Sequence, residues 1–583
     1  MSSKQREGKK GRRIKIVLLI LFLAVAAAAA VFLIIKFMPS FEKEDLTAYY
    51  GLEGSDEDEM AIILRDLPLS GDADDEDRDR IGTVILEEKA ILSGGTIYIP
   101  AETASSYIDE RFYYDSTDNI LVVTNAEEMY TAAEGETAYS SSSGESIETG
   151  AEILKVIDGT AYISMDFVDT FSDAYYSSFD DPARVVIDYI SEDNLYCEVS
   201  RSAKIREYAG TKSDIIGEVS KGDILQVKRT LEDWYEVISS EGYVGYIKAS
   251  CVSEPYSYEE ESDYDEPEYT SLSLGETVKL GWLAVYNSIA NANYYNNTEG
   301  IDEMNVICPT WYTLSSADGD VEILSNTSIV NSSHLNGYIV WAMISDGDYE
   351  YVEALSSTSK RQKIIDTIME DVLSKGIDGI NVDFERITDE TGEDYIEFLR
   401  ELSIRCRQEG IYLSADNYAP YDSRSCYHIE EQSRLCDYVI VMAYDDYVGT
   451  DTQGPNSSLE FIQEVTELSL EKVDAEKLII ALPFYCRFWI QSSDGTLSSE
   501  TYKMSAAWSE IEEYGAEAVW DSELGLYTAV YTDSEGNTVY AYLENSETME
   551  AKLSLLENYS LSGVGFWRLN QEYDDVWDVI AEY

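Results

Sequence analysis

The chain has 583 residues, enough for about three or four domains, and 44% of them are hydrophobic, as in ordinary globular proteins. Its 113 acidic against 41 basic side chains give a formal net charge of −72, which excludes nucleic acid and anionic lipid as partners for the bulk of the chain. With two histidines, His334 and His428, and no CxxC or HExxH pattern, there is little material for a zinc site or a histidine-based triad; no metal and no cofactor is expected.

Residues 1–15 reverse the overall charge: Lys4, Arg6, Lys9, Lys10, Arg12, Arg13 and Lys15 stand against the single acid Glu7. The run IVLLILFLAVAAAAAVFLII, Ile16–Ile35, has no charge and no proline. At 1.5 Å per residue it covers a bilayer core of about 30 Å, so residues 16–36 are expected to be a transmembrane signal anchor. The basic tail stays in the cytoplasm and the chain beyond Lys36 lies outside, a single pass in the cell membrane. The rival reading is a cleaved signal peptide, but the run exceeds the usual apolar core of about 7–15 residues. Residues 37–84 follow as an acidic linker, with GSDEDE (Gly54–Glu59) and SGDADDEDRDR (Ser70–Arg80).

Residues 85–192 hold a near-repeat. Gly95–Asn125 and Gly159–Tyr189 both run Gly-Thr-x-Tyr-Ile, a short helical stretch, an aromatic and Asp turn, then an apolar strand. The polar stretch Ala132–Gly150 connects them as a flexible segment. The repeat resembles the small α+β domain at the N-terminus of some copper amine oxidases; no copper ligands accompany it, so the resemblance implies a fold and a spacer or wall-contacting module. Residues 195–253 have short β-rich runs between glycine turns, a small-barrel pattern. Ile205-Arg206, GEVSKGD, DWYEV and GYVGYIK make this segment similar to the bacterial SH3 domain, which implies a cell-wall peptide as ligand; Trp234 and Tyr246 read equally as core and rim packing. Cys197 and Cys251 bracket it and either pair or, like the other five cysteines, are small buried hydrophobes. Residues 254–272 form a second acidic linker, extended by self-repulsion.

Residues 273–583 alternate eight apolar strand-like runs with helical patterns. The strands are expected within Val278–Tyr286, Met304–Leu314, Gly337–Ser345, Gly376–Glu385, Ile411–Tyr418, Cys436–Asp445, Lys477–Tyr485 and Gly563–Asn570. That order predicts an α/β fold, a (β/α)8 TIM barrel, with a small α+β insert before the last strand. The active site of such a barrel lies at the C-terminal strand ends. Tyr286, Trp311, Glu385, Asn417, Tyr444, Asp445, Tyr485 and Trp567 fall there, acids ringed by aromatics and amides that suit a sugar.

The run DGINVDFERI, Asp378–Ile387, sets four polar residues into a buried strand. Alternation places Asn381, Asp383 and Glu385 on one face, towards the barrel interior. Carboxylates that close do not both ionise readily, so one becomes a proton donor near neutral pH, as protonating a glycosidic oxygen requires. A buried polar network that only holds the barrel together is the competing reading.

Asp378-Gly-Ile-Asn381-Val-Asp383-Phe-Glu385 resembles the Asp-x-x-Asp-x-Asp-x-Glu signature of glycoside hydrolase family 18, the chitinase and endo-β-N-acetylglucosaminidase family. MAYD (Met442–Asp445), LPFYCRFW, GVGFWRLN and the segment Ala518–Leu556 add to the resemblance, which spans Val278 to the C-terminus. It implies that Glu385 is the general acid and then base, that the substrate's own 2-acetamido oxygen is the nucleophile, and that Asp383 orients it. It implies that Tyr444 donates to the acetamide and that Trp567 is the sugar-stacking floor. Asp445, Met442, Asn417, Tyr286, Trp311 and Tyr485 would contact substrate, with Asp378 and Asn381 as the supporting network. Asn381 stands where the signature has Asp, and the amide is expected to donate to Asp383. The implied function is a membrane-anchored extracytoplasmic glycosidase acting on an N-acetylglucosamine-containing glycan, peptidoglycan first and chitin second. A catalytically weak carbohydrate-binding cell-wall protein is the rival from another class.

Overall fold

The computed structural model describes residues 4–65, 84–189, 194–257, 264, 267–448 and 452–583. The acidic stretch Ser70–Arg80 and part of the linker 254–272 lie outside the described residues. The chain divides into two compact units: 1–110, 135–137 and 149–265 form one; 111–134, 138–148 and 266–583 form the other.

In the first unit, Lys4–Phe37 is one 34-residue helix exposing Val17, Leu18, Phe22 and Phe32. Its described side chains are confined to 17–32 and Lys36, and among the described residues no helix is long and apolar enough to cross a membrane. The expected span 16–36 reaches beyond those side chains on the N-terminal side and includes undescribed ones near its end.

The expected linker 37–84 is folded in its first part. Glu59–Leu64 is a buried strand between Ala183–Tyr189 and Ile85–Ser93 in a seven-stranded sheet. Its MAIIL run buries Met60, Ala61, Ile62, Ile63 and Leu64, a hydrophobic gain the flanking acids mask in the sequence. The two repeat copies both give a strand followed by a seven-residue helix, Ala101–Tyr107 and Met165–Phe171. Residues 195–257 form a second seven-stranded sheet around Cys197, Ile205, Leu225, Val237 and Ile247. All seven cysteines are free, so the Cys197–Cys251 pairing does not form.

In the second unit, eight parallel strands close a barrel: β1 (Val278–Leu283), β2 (Val306–Leu314), β3 (Ile339–Ser345), β4 (Gly379–Asp383), β5 (Tyr412–Asn417), β6 (Tyr438–Met442), β7 (Leu478–Pro483) and β8 (Gly563–Trp567). β8 pairs with both β7 and β1, and β1 with β2, so no edge remains. Alternation sorts the side chains. Leu280, Trp282, Val306, Cys308, Trp341, Met343, Ile440 and Ile479 fill the interior, while Ile307, Val340, Ile380, Val382, Val441 and Ile480 face the surrounding helices. The insert starts at Tyr485, earlier than Ala518, as a five-stranded antiparallel sheet.

Residues 111–134 and 138–148 belong to the barrel unit. The strands from Tyr113–Asp115 to Ser146–Glu148 make a five-stranded meander, so the connection Ala132–Gly150, expected as a flexible segment, carries the strands Ala138–Ser141 and Ser146–Glu148. Asp115 and Asp118 accept the backbone N–H groups of Thr358 and Ser359, and Tyr113 donates to Asp394. The helices Thr358–Lys375 and Gly392–Glu409 that receive these contacts lie immediately before and after β4 in the chain.

Candidate active site

β4 ends at Asp383, and Glu385 follows two residues beyond, exposed at the mouth of the barrel. Phe384 between them turns outward and stacks on Phe398 with ring centroids 5.6 Å apart. That outward anchor fixes the inward direction of the two acids on either side.

Asn381 is fully buried and all four of its hydrogen-bonding valences are filled. Its Nδ2 donates to Asp416 Oδ1 at 2.8 Å and to Ser414 Oγ at 3.0 Å. Its Oδ1 accepts from Trp282 Nε1 at 3.1 Å and from Cys308 Sγ at 3.4 Å. The expected donation to Asp383 is therefore not made. The amide is engaged by β5, where Ser414 and Asp416 sit inward at the height of Asn381 and Asp383.

Asp416 is the residue that sequence reasoning misses. The run SADN carries a polar residue at three of four positions, and the strand parity that separates them is not visible in the sequence. Ser414 and Asp416 take the inward face; Asn417 takes the outward one, buried against Gln432, from which it accepts at 3.0 Å and to which it donates at 2.7 Å. Asn417 is thus held between β5 and the helix Ile429–Leu435, away from the mouth. The same parity removes Trp311: it is wholly buried in the outer core and donates its Nε1 to Asn291 at 3.0 Å. Asp378 lies at the opposite end of β4, where its carboxylate accepts from the Val340 backbone N–H and pairs with His334 Nε2, both at 2.8 Å. It stitches β3 to β4 and makes no contact with Asn381 among these bonds.

The acids at the mouth share one electrostatic condition. Burial pushes the Asp383 carboxyl far above its usual range, and the neighbouring Asp416, Glu385 and Asp346 add to it; Arg386 opposes. Burial likewise pushes Asp416 up to about 8, against the Asn381 hydrogen bond, with Glu385 adding. Glu385 is raised first by partial desolvation at the mouth, then by Asp346 and less by Asp445, while a hydrogen bond from Tyr418 and the Arg386 cation pull it back. Arg386 is itself tied to Asp346, which accepts its backbone N–H at 2.6 Å and pairs with its guanidinium.

The remaining rim is aromatic. Trp567 ends β8, half-buried, edge-on to Trp282 with centroids 6.0 Å apart. Tyr444 follows β6 beside Tyr485, their rings 6.3 Å apart, and faces Asp383 and Asp416, which raise its hydroxyl along with burial. Met442, the last residue of β6, is buried beneath. Asp445 adopts φ +62°, costly for a non-glycine residue, and is over-determined by three groups: Tyr485 Oη and Arg487 donate to its Oδ1, and its N–H donates to Asn456 Oδ1 at 3.3 Å. Tyr485 itself is buried rather than open to the mouth, so it supports Asp445 instead of lining the rim. Tyr286 is well exposed beyond β1, with the Arg568 guanidinium 5.7 Å from its ring centroid.

Residues 312–572 match the family described as glycosyl hydrolases family 18, and residues 201–253 match the bacterial SH3 domain. Residues 85–192 lie outside both matches, so the copper amine oxidase resemblance rests on its repeat alone. The chain is 23% identical over 327 residues to "Uncharacterized glycosylase YvbX" of Bacillus subtilis, covering 53% of this chain and 93% of that one. It is 22% identical over 237 residues to the cortical fragment-lytic enzyme of Bacillus subtilis, covering 39% of this chain and 54% of that one. Among solved structures, the spore cortex-lytic enzyme SleL of Bacillus cereus is similar with a TM-score of 0.49 and 19% identity, over 54% of this chain and 76% of that one.

Proposed function

We propose, from a C-terminal domain that is a family 18 glycoside hydrolase and a bacterial SH3 domain on the same chain, that this protein hydrolyses the β-linked N-acetylglucosamine glycan of peptidoglycan outside the cell, held at the membrane by residues 16–36. The observation that carries the reading is Glu385 at the barrel mouth with its carboxyl raised, two residues from Asp383 on the same inward face. A raised carboxyl keeps its proton to higher pH than an ordinary one, and a departing glycosidic oxygen needs such a donor.

In this reading Glu385 protonates the leaving oxygen and then, as the base, activates water. The substrate's acetamide oxygen attacks the anomeric carbon, so the protein supplies no covalent nucleophile. Asp383 orients the acetamide and balances the positive ring it forms. Tyr444 donates to the acetamide oxygen, its ring lying beside Tyr485. Trp567 offers a half-exposed indole on which the sugar stacks, and Asp445, held by Tyr485 and Arg487, accepts from a sugar hydroxyl. The similarity to a cortical fragment-lytic enzyme supports peptidoglycan ahead of chitin. The SH3 segment would hold a wall peptide, and the basic tail with the apolar run Ile16–Ile35 supports an anchor with the barrel outside.

The test is to incubate the detergent-solubilised full chain, and its Glu385→Gln variant, with purified peptidoglycan and with chitin oligomers, and to identify new reducing ends by mass. Release of N-acetylglucosamine-ended peptidoglycan fragments by the wild type alone is expected. Cleavage confined to chitin oligomers moves the substrate; binding without cleavage gives the non-catalytic reading; normal turnover by the variant removes Glu385 from its role.

A further inference from the structure

The β4–β5 register places two carboxylates side by side. Asn381 is level with Ser414 and Val382 with Ala415, so the next inward pair is Asp383 and Asp416. Neighbouring strands are about 4.8 Å apart, and both side chains project to the same face. Asp416 is buried, and its Oδ1 is taken by Asn381 Nδ2 at 2.8 Å. Asn381 in turn is pinned by Ser414, Trp282 and Cys308, so Asp416 is fixed in place from one side. Neither oxygen of Asp383 receives a protein hydrogen bond among the described residues.

Adjacent carboxylates in such a site do not both ionise; one proton between them removes the repulsion and supplies the missing hydrogen bond. Asn381, an amide with every valence filled, cannot carry that proton. Resting on the functional reading above, we propose that Asp416 is the positioning partner of Asp383: the two share one proton across the β4–β5 boundary, and it moves onto Asp416 whenever Asp383 acts as an anion. The transfer is a single proton from one carboxyl to the other, with no net release. The other groups facing the pair are Glu385, the Cys308 thiol, the hydroxyls of Tyr418 and Tyr444, and the Asp346–Arg386 pair, with the Tyr395 hydroxyl behind β4 in the outer core. Arg386, the one cation among them, lowers Asp383, but it is held by Asp346, which raises Asp383. The raised state of both carboxyls agrees with this arrangement.

Two readouts separate a shared proton from a merely structural Asp416. The first is the pH profile of kcat/KM. Asp416→Asn takes away the second carboxyl of the dyad and leaves the net charge of the ionised site unchanged, so the limb set by Asp383 is displaced, by about one pH unit, from that of the wild type. Asn381→Asp adds a carboxyl beside the pair and moves that limb alkaline. The exchange Asn381→Asp with Asp416→Asn keeps one acid and one amide in contact and brings the profile back to that of the wild type. The second readout is the melting temperature against pH, which needs no substrate. A carboxyl raised to about 8 when folded, against about 3.9 unfolded, stabilises the fold at low pH, and that contribution is lost as pH rises across this window. The wild type therefore loses melting temperature from pH 4 to pH 8 more steeply than Asp416→Asn. Superimposable profiles and slopes for the two proteins overturn the proposal. Should the single variant not fold, the double exchange decides: a profile and slope matching the wild type support the shared proton, and displaced ones overturn it. If no glycan is cleaved at all, the functional reading fails while the melting slopes still judge the shared proton.

Discussion

The carboxylate of Asp115 accepts the backbone N–H of Thr358 at 2.6 Å, across 243 residues of sequence. Together with Asp118 on Ser359 N–H and the Ser357 hydroxyl on Lys360 N–H, it satisfies the first free donors of the helix Thr358–Lys375. That helix delivers the chain into β4. The meander is thus a capping element for the barrel, with negative charge at the positive helix end.

Replacing Asp115 by Ala leaves a buried N–H unpaired, at a cost of about 1–3 kcal/mol. The barrel unit should then melt a few degrees lower, in a scan that resolves the two units, while Asp115→Asn, which keeps an acceptor, should recover part of the loss. An unchanged melting temperature for Asp115→Ala would show that the meander merely rests on the helix.

Arg386 sets the alkaline limit of the proposed acid. Its cation lowers Glu385 and Asp383, and its guanidinium neutralises Asp346, which raises both. Arg386→Gln therefore raises Glu385 on both counts. The acid must be protonated to donate, so activity falls as pH rises through its pKa, and a raised pKa carries that fall to higher pH. The descending limb of kcat/KM should move alkaline by about one unit. A limb that stays in place, or moves acid, would mean that Glu385 does not define it.

The barrel is plain in the sequence because eight apolar runs between amphipathic helices leave few other solutions, and each strand lies within its expected segment. Parity inside a strand is harder. Around Asp383 the outward Phe384 and Val382 fix the alternation, so the inward placement of Asp383 is legible. In SADNY and in CPTWYTL, polar or aromatic residues occupy both faces, so local pattern favours Asn417 over Asp416 and turns Trp311 inward. The strand Glu59–Leu64 is lost among acids. The partition of residues 111–134 and 138–148 with the barrel depends on contacts hundreds of residues apart, which local pattern cannot carry.

Trp567 should behave as a binding residue. Its indole is half-exposed at the mouth and supported edge-on by Trp282, so truncation removes sugar-stacking area without opening the barrel core. Trp567→Ala should raise KM roughly tenfold, equivalent to about 1.4 kcal/mol, with Trp567→Phe intermediate. Measured KM values unchanged in both variants would place the sugar elsewhere.

Asn417 provides the contrasting case. Two hydrogen bonds join it to buried Gln432, on the outer face of β5, and neither residue reaches the mouth. Asn417→Ala strands the Gln432 amide in the core, so stability should fall by about 1–3 kcal/mol. KM should stay as in the wild type, because the lost contacts are between barrel and helix. Paired denaturation and kinetic measurements distinguish the two: a raised KM with undiminished stability would return Asn417 to the substrate site and reverse the facing of β5.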